Sequence, residues 1–304
     1  MNADADAAAD AARIAALALA EDGDTDVTTA VTVPAGLQAL GIIEYRSGGV
    51  LAGAAYADAV AQACDCRIEW RAPDGHAVPP GAAVGELRGT LARILRAERP
   101  MLNLLQRASG IATATRAYVE AVVGTRCRIL HTRKTAPGLR TLDIAAVLAG
   151  GGERHRADLS HEVMVKDNHW ESIARSGGTL ADALAEARRR GSLALYVEVE
   201  SPGQLEQACA AGATRLLVDN QTPETVAAWG ARARALRPGI EIEATGGITL
   251  ENVRRYAEAG ADFVSIGALT HSVRAGDLAV EVRLLGFAQD DSPTTPPLQA
   301  RHPK

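Results

Sequence analysis

Arg133, Lys134, His155, Arg156, Lys166 and His169 crowd one stretch of a 304-residue chain whose formal net charge is −5. Groups of this kind neutralise a small polyanion. Arginine grips a carboxylate or phosphate through two parallel hydrogen bonds, and lysine acts as a point charge. Gly150-Gly151-Gly152 runs through the same stretch, and a glycine-rich loop lets backbone N–H groups approach an anion. The target is a small molecule rather than nucleic acid. With a sequence pI near 5.8 and 3% aromatic residues, the chain offers neither a basic surface nor stacking platforms.

Finer divisions follow from local order. Arg133 and Lys134 are adjacent in a loop after Thr132, so their side chains can diverge, one to a carboxylate and the other to a phosphate. His155-Arg156, just after the glycines, suits a carboxylate clamp. Thr245-Gly246-Gly247 precedes a helical stretch, where free N–H groups and helix polarity favour an anion. Ile266-Gly267-Ala268 makes a second glycine turn, and barrel phosphate sites favour the last two loops. Glu198 and Asp219 stand among these cations. They either hold the cations in salt bridges or bind Mg2+ or sugar hydroxyls, and their place at strand ends favours the second reading.

Such groups need a frame to position them. After Gly124, runs at 128–130, 162–166, 194–199, 215–218, 241–244 and 262–266 read as strands. Helical stretches at 139–148, 180–190, 202–211, 223–236 and 250–259 separate them. This alternation implies parallel strands with helical crossovers. Every candidate from Thr132 to Ala268 that ends a strand does so at its C-terminal end, where barrels carry their active sites. About six units fit, fewer than a closed barrel requires. The predicted fold is therefore α/β, an incomplete (β/α) TIM-like barrel, with a doubly wound sheet as the alternative.

Upstream, 7–20 reads as an Ala-rich helix, and short β-like runs between 38 and 94 form an α+β segment. Pro100 is placed to begin a helix over 101–123, in which Gly110 marks a close packing contact. The Pro-rich polar tail, 289–304, is expected to be disordered. Cys64, Cys66, Cys127 and Cys209 lack zinc-site spacing and read as idle thiols of a reducing compartment. No basic region precedes an apolar run near the N-terminus, and no run is long enough for a membrane span. A cytoplasmic protein without membrane or nucleic-acid partners is expected.

Taken in order, Asp26-Val27-Thr28-Thr29, Glu98-Arg99, Leu102-Asn103-Leu104-Leu105-Gln106, Thr132-Arg133-Lys134-Thr135, His155-Arg156, Lys166-Asp167-Asn168-His169, Glu198-Val199-Glu200, Asp219-Asn220 and Gly246-Gly247-Ile248-Thr249 carry a resemblance. The chain resembles the quinolinate phosphoribosyltransferases, the decarboxylating nicotinate-nucleotide pyrophosphorylase family, from roughly residue 20 to 285. The resemblance implies a pentosyltransferase joining quinolinate to phosphoribosyl pyrophosphate, with Mg2+, to give nicotinate mononucleotide, pyrophosphate and CO2. It implies an N-terminal α/β (α+β) sandwich domain over 1–112, joined by the chain's last helix within 271–288, and an open barrel over 113–270. It also implies a homodimer or higher homo-oligomer with shared active sites.

By the same resemblance, Arg133, His155, Arg156 and Lys166 would bind the two quinolinate carboxylates beside Thr132, with Arg99 reaching in from a partner subunit. Lys134, Glu198 and Asp219 would hold phosphoribosyl pyrophosphate and its Mg2+, the carboxylates binding directly or through water. Thr245, Gly246, Gly247, Ile266, Gly267 and Ala268 would cradle the 5′-phosphate, and His169 would lie near the pyrophosphate. Catalysis would fall to Lys134, Lys166, Glu198 and Asp219. His131, Arg154, Asp158, His161, Pro100 and Thr245 depart from the family pattern. Neutral drift explains them, or a shifted substrate such as another pyridine carboxylate. A molybdenum-transport-associated paralogue, a non-catalytic phosphate-binding barrel and an aldolase with a Schiff-base Lys166 are rival readings. Lys166-Asp167-Asn168-His169 and the full set of cations and carboxylates weigh against them.

Overall fold

A computed structural model describes residues 3–160 and 162–287. The expectations for His161 and for the tail lie outside these residues. The N-terminal part holds α1 (Ala3–Glu21), α2 (Val27–Thr32), β1 (Leu37–Tyr45), β2 (Gly49–Val50), α3 (Ala54–Ala63), β3 (Arg67–Trp70), β4 (Ala77–Val78) and β5 (Ala82–Thr90). The long helix α4 (Leu91–Ala121) leads out of it. The second part holds β6 (Arg128–Leu130), α5 (Arg140–Ala149), β7 (Val163–Val165), α6 (Asp167–Arg175), α7 (Leu180–Arg189), β8 (Leu195–Val199) and α8 (Pro202–Ala211). It continues through β9 (Arg215–Asp219), α9 (Pro223–Leu236), β10 (Glu241–Thr245), α10 (Val253–Glu258), β11 (Phe263–Ser265) and α11 (Ala268–His271). The last element, β12 (Leu278–Phe287), returns to the first part.

The first part is a four-stranded antiparallel sheet in the order β12-β1-β5-β3. The returning segment is thus a strand, not the helix implied by the resemblance. Leu278-Ala279-Val280-Glu281-Val282-Arg283 alternates with period two, which suits a strand and not a helix stripe. Val280 and Val282 pack on the core.

The second sheet is six-stranded and parallel, in the order β7-β8-β9-β10-β11-β6. This is the cyclic order of a barrel cut between its first two strands, and it has no reversal of the doubly wound kind. Among the described residues the sheet does not close into a barrel. Leu130 makes one isolated parallel bridge to Glu153 beside the cut. The segment bearing His155 and Arg156 therefore sits in the seam.

Helix α4 begins earlier than expected and runs through Pro100. Proline removes one helical N–H, a cost normally avoided in helix interiors. The buried series Ile94, Ala97, Met101, Leu105 and Ala108 shows why the helix persists: one apolar face is covered throughout. At Gly110 a Cβ would strike the backbone carbonyl of Arg274, so this position is the expected close contact. The triple glycine also packs tightly, since a Cβ on Gly150 would lie 2.5 Å from Ala112 O on α4. It is not a loose linker.

Candidate active site

The C-terminal ends of the parallel strands open into one cavity of about 640 Å3, well within the range of small-molecule sites. Thr132, Arg133 and Lys134 enter it after β6, Lys166 after β7, and Glu198 from β8. Asp219 enters from β9, and Thr245, Gly246 and Gly247 from the end of β10. His155 and Arg156 reach it from the seam. Strand alternation explains the placement: Met164 and Lys166 share one face, as do Leu217 and Asp219, and all four line the cavity.

Arg133 and Arg156 are half-buried, and neither guanidinium forms an ion pair with a described residue. Arg133 Nε is buried without any hydrogen-bond partner. Burial lowers the Arg156 pKa, and the charge of Arg133 lowers it further. Glu162 and Glu243 act on Arg156 in the opposite sense, but neither forms an ion pair with it, so an anion that joins the two guanidinium groups is favoured. Their planar donors match carboxylates.

Lys166 Nζ contacts Glu198 Oε2, whose side chain is buried. Asp219 accepts from Asn220 Nδ2 at 2.7 Å. Burial pushes the Asp219 pKa up against the opposing pull of Lys166, Asn220 and Lys134. Among the described residues, no cluster of three or more His, Cys, Asp or Glu side chains could hold a metal unaided. Two carboxylates at the rim suit Mg2+ that arrives with phosphate oxygens.

The glycine turn after β10 is fixed from β9. Asn220 adopts φ 51° and donates its backbone N–H to Thr245 O at 2.9 Å. Gly246 has φ 82°, and a Cβ there would collide with the Asn220 side chain. The loop carrying Lys134 is fixed from α11 and α5, the latter braced by α4. Thr270 Oγ1 donates to Lys134 O at 2.8 Å, and Asp143 accepts from Ala136 N at 3.2 Å. Arg107 grips the fully buried Asp143 with two hydrogen bonds, at 2.8 and 2.7 Å.

Some expected residues stand apart. Arg99 is exposed on α4, away from the cavity wall. His169 is exposed, and its Nδ1 accepts from Lys166 N at 3.0 Å, capping α6. Ile266, Gly267 and Ala268 are not among the residues that line the cavity, and Gly267 leaves room for the Lys134 stem, 2.8 Å from a would-be Cβ. His155 lines the cavity, but both ring nitrogens are engaged. Nδ1 accepts from Arg156 N at 2.7 Å, and Nε2 meets Glu243 at 3.2 Å.

Beneath the cavity lies a polar floor that the sequence reading missed. Glu243 is 1% exposed and meets both His155 and Arg215, the latter at 3.1 Å. Burial opposes its charge, but the hydrogen bond from His155, the charges of His155 and Arg215 and a bond from Ser265 hold its pKa below the ordinary value. Arg215 also pairs with Glu241 at 2.8 Å and stacks over Phe263 at 3.8 Å. His131 is wholly buried, and burial lowers its pKa. The signal was present as Glu241-Ile242-Glu243-Ala244-Thr245, in which the acidic residues share the face of the rim residue Thr245.

The chain matches two family models: "Quinolinate phosphoribosyl transferase, N-terminal domain" over residues 26–109, and the C-terminal domain of the same family over 111–281. The nicotinate-nucleotide pyrophosphorylase [carboxylating] of Mycobacterium leprae is 40% identical over 266 residues, covering 84% of this chain and 91% of that protein. The protein of that name from Homo sapiens is 38% identical over 252 residues, covering 82% of each. The solved nicotinate-nucleotide pyrophosphorylase of Francisella tularensis superposes with a TM-score of 0.84 at 32% identity, covering 91% of this chain and 97% of that one.

Proposed function

Because the chain belongs to the quinolinate phosphoribosyltransferase family, its activity is quinolinate phosphoribosyl transfer in NAD biosynthesis, and we propose that the strand-end cavity performs it through a division of labour among its charges. The reaction joins quinolinate to phosphoribosyl pyrophosphate and yields nicotinate mononucleotide, pyrophosphate and CO2. The observation that carries the proposal is the pair Arg133 and Arg156, two guanidinium groups that have no ion-pair partner among the described residues and lie beside one cavity. They take the two carboxylates of quinolinate, assisted by Lys166. His155 orients this clamp through its bonds to Arg156 N and Glu243.

Lys134, with its stem on Gly267, faces the phosphorylated co-substrate. Gly246 and Gly247 offer a turn to its 5′-phosphate. As pyrophosphate leaves, the ribose gains oxocarbenium character, and fixed cations at the rim stabilise the departing charge. The pyridine nitrogen bonds to the anomeric carbon and becomes positive. The bond to the adjacent carboxylate then breaks, its electron pair stays on the ring carbon as CO2 departs, and a proton replaces it. The clamp must hold the retained carboxylate firmly without favouring the departing one, or the ground state would gain as much as the transition state. Glu198 and Asp219 would hold Mg2+, which supplies charge neutralisation at the pyrophosphate.

The assembly proposed is at least a homodimer. Its support is Arg99, which is exposed and does not line its own chain's cavity, and so is free to reach the site of a partner. The proposed compartment is the cytoplasm, in keeping with four free, buried cysteines. Purified protein with quinolinate, phosphoribosyl pyrophosphate and Mg2+ should release CO2 and pyrophosphate in equal amounts. Turnover with a different pyridine carboxylate and none with quinolinate would defeat the substrate assignment.

A further inference from the structure

Arg133 and Arg156 belong to loops that leave different places in the chain, one after β6 and one in the seam. Their separation decides whether two carboxylates on adjacent ring carbons fit both. The backbone offers little to fix it, because, among the described residues, only the bridge between Leu130 and Glu153 joins the two segments by sheet pairing. Beyond that bridge two side chains span the gap: Arg140, which donates to Thr135 Oγ1 and to Ala157 O at 3.3 Å each, and, closer to the guanidinium groups, His131. His131 Nε2 accepts the backbone N–H of His155 at 3.0 Å. Its other ring nitrogen, Nδ1, faces Thr132 O at 3.3 Å and so carries the proton. The ring is fully buried, and the His155 ring stands edge-on to it at 6.5 Å.

We propose that His131 is a strut that sets the spacing of the two guanidinium groups, which makes it a positioning residue for the dicarboxylate substrate. One end of the strut is two residues from Arg133. The other end is the peptide immediately before Arg156. His155 continues the support, since its own ring accepts Arg156 N–H and rests on Glu243. Removing the acceptor leaves the His155 N–H buried and unpaired, a state that a small shift of the seam relieves. That shift displaces Arg156 and leaves Lys134 and the β10 turn where they are. These are tied instead to Thr270 and Asn220.

The inference rests on the reading of the cavity as the quinolinate site. Steady-state kinetics of the full chain test it, with each substrate varied in turn and a thermal melt of each variant. His131→Leu should raise KM for quinolinate by about tenfold or more, with KM for phosphoribosyl pyrophosphate within about twofold. His131→Gln, whose Oε1 reaches as far as Nε2, should recover most of the loss. His131→Asn is too short and should not. If His131→Leu fails to fold, the contrast between Gln and Asn decides. Equal rises in both KM values, or equal behaviour of Gln and Asn, would overturn the strut while leaving the function intact. Absence of wild-type turnover with quinolinate would overturn both readings.

Discussion

Arg215 on the barrel floor and the Arg133–Arg156 pair at the rim are the same chemical group in opposite states. Arg215 is 8% exposed, pairs with Glu241 and Glu243, and stacks on Phe263 and Tyr196. Burial alone would lower its pKa, but the two carboxylates raise it. The rim arginines share a half-buried position without an ion pair to any described residue; they repel each other, and Glu162 and Glu243 offset this for Arg156 only through space. A cation with every partner inside the chain serves the fold. A cation whose partner is missing serves what enters.

The contrast can be attacked from the floor first. Arg215→Met should cost up to roughly 3–5 kcal/mol in urea unfolding, because it leaves the buried Glu243 with only His155 and Ser265 to offset its charge and strands Glu241 as well. Wild-type stability in that variant would erase the distinction. At the rim, Arg133→Ala should weaken quinolinate binding by about 2–5 kcal/mol in calorimetric titration. Phosphoribosyl pyrophosphate binding should persist and the melting temperature should hardly move. Equal loss of both ligands would show that the charges are not divided as proposed.

A smaller effect should appear in acid. The folded-state pKa of Glu243 is below its unfolded value, so its contribution is present above the unfolded pKa and is lost as pH falls through the folded one. Denaturation midpoints measured downward through the carboxylate range should therefore fall less steeply in Glu243→Gln than in the wild type. The smallest effect belongs to the surface. Arg175 and Glu171 pair in the open at i,i+4, and removing Glu171 should leave the melting temperature unchanged within error.

The rim was legible because its residues are odd at strand ends: a lysine, an aspartate or paired glycines where a plain turn would do. Strand and helix periods placed β6 and α8 at their observed limits. The floor was harder to read, because Glu243 stands between Ile242 and Ala244 as a solvent-facing residue does, and Arg215 sits at the start of its strand. Only the curvature of the sheet turns that face inward. The start of α4 was hidden by Pro100, whose local preference is overruled by the covered face from Ile94 to Ala108. The final strand was masked by the resemblance, although its own alternation declared it.

Helix α4 also bears on how this protein can be divided and inherited. The two family models meet at residues 109 and 111, inside a helix that runs from Leu91 to Ala121. Gln106 accepts from Gly276 N and donates to Leu278 O, Ser109 bonds Ala52, and Arg116 reaches both Gly75 and Gly150. The apparent border between modules thus lies within a stretch of their shared axle that is bonded to both. Separate expression of the halves would give two fragments, each with a raw apolar helix end. Fusion, permutation or recombination of this gene has its tolerant points elsewhere, and the two modules travel as one piece.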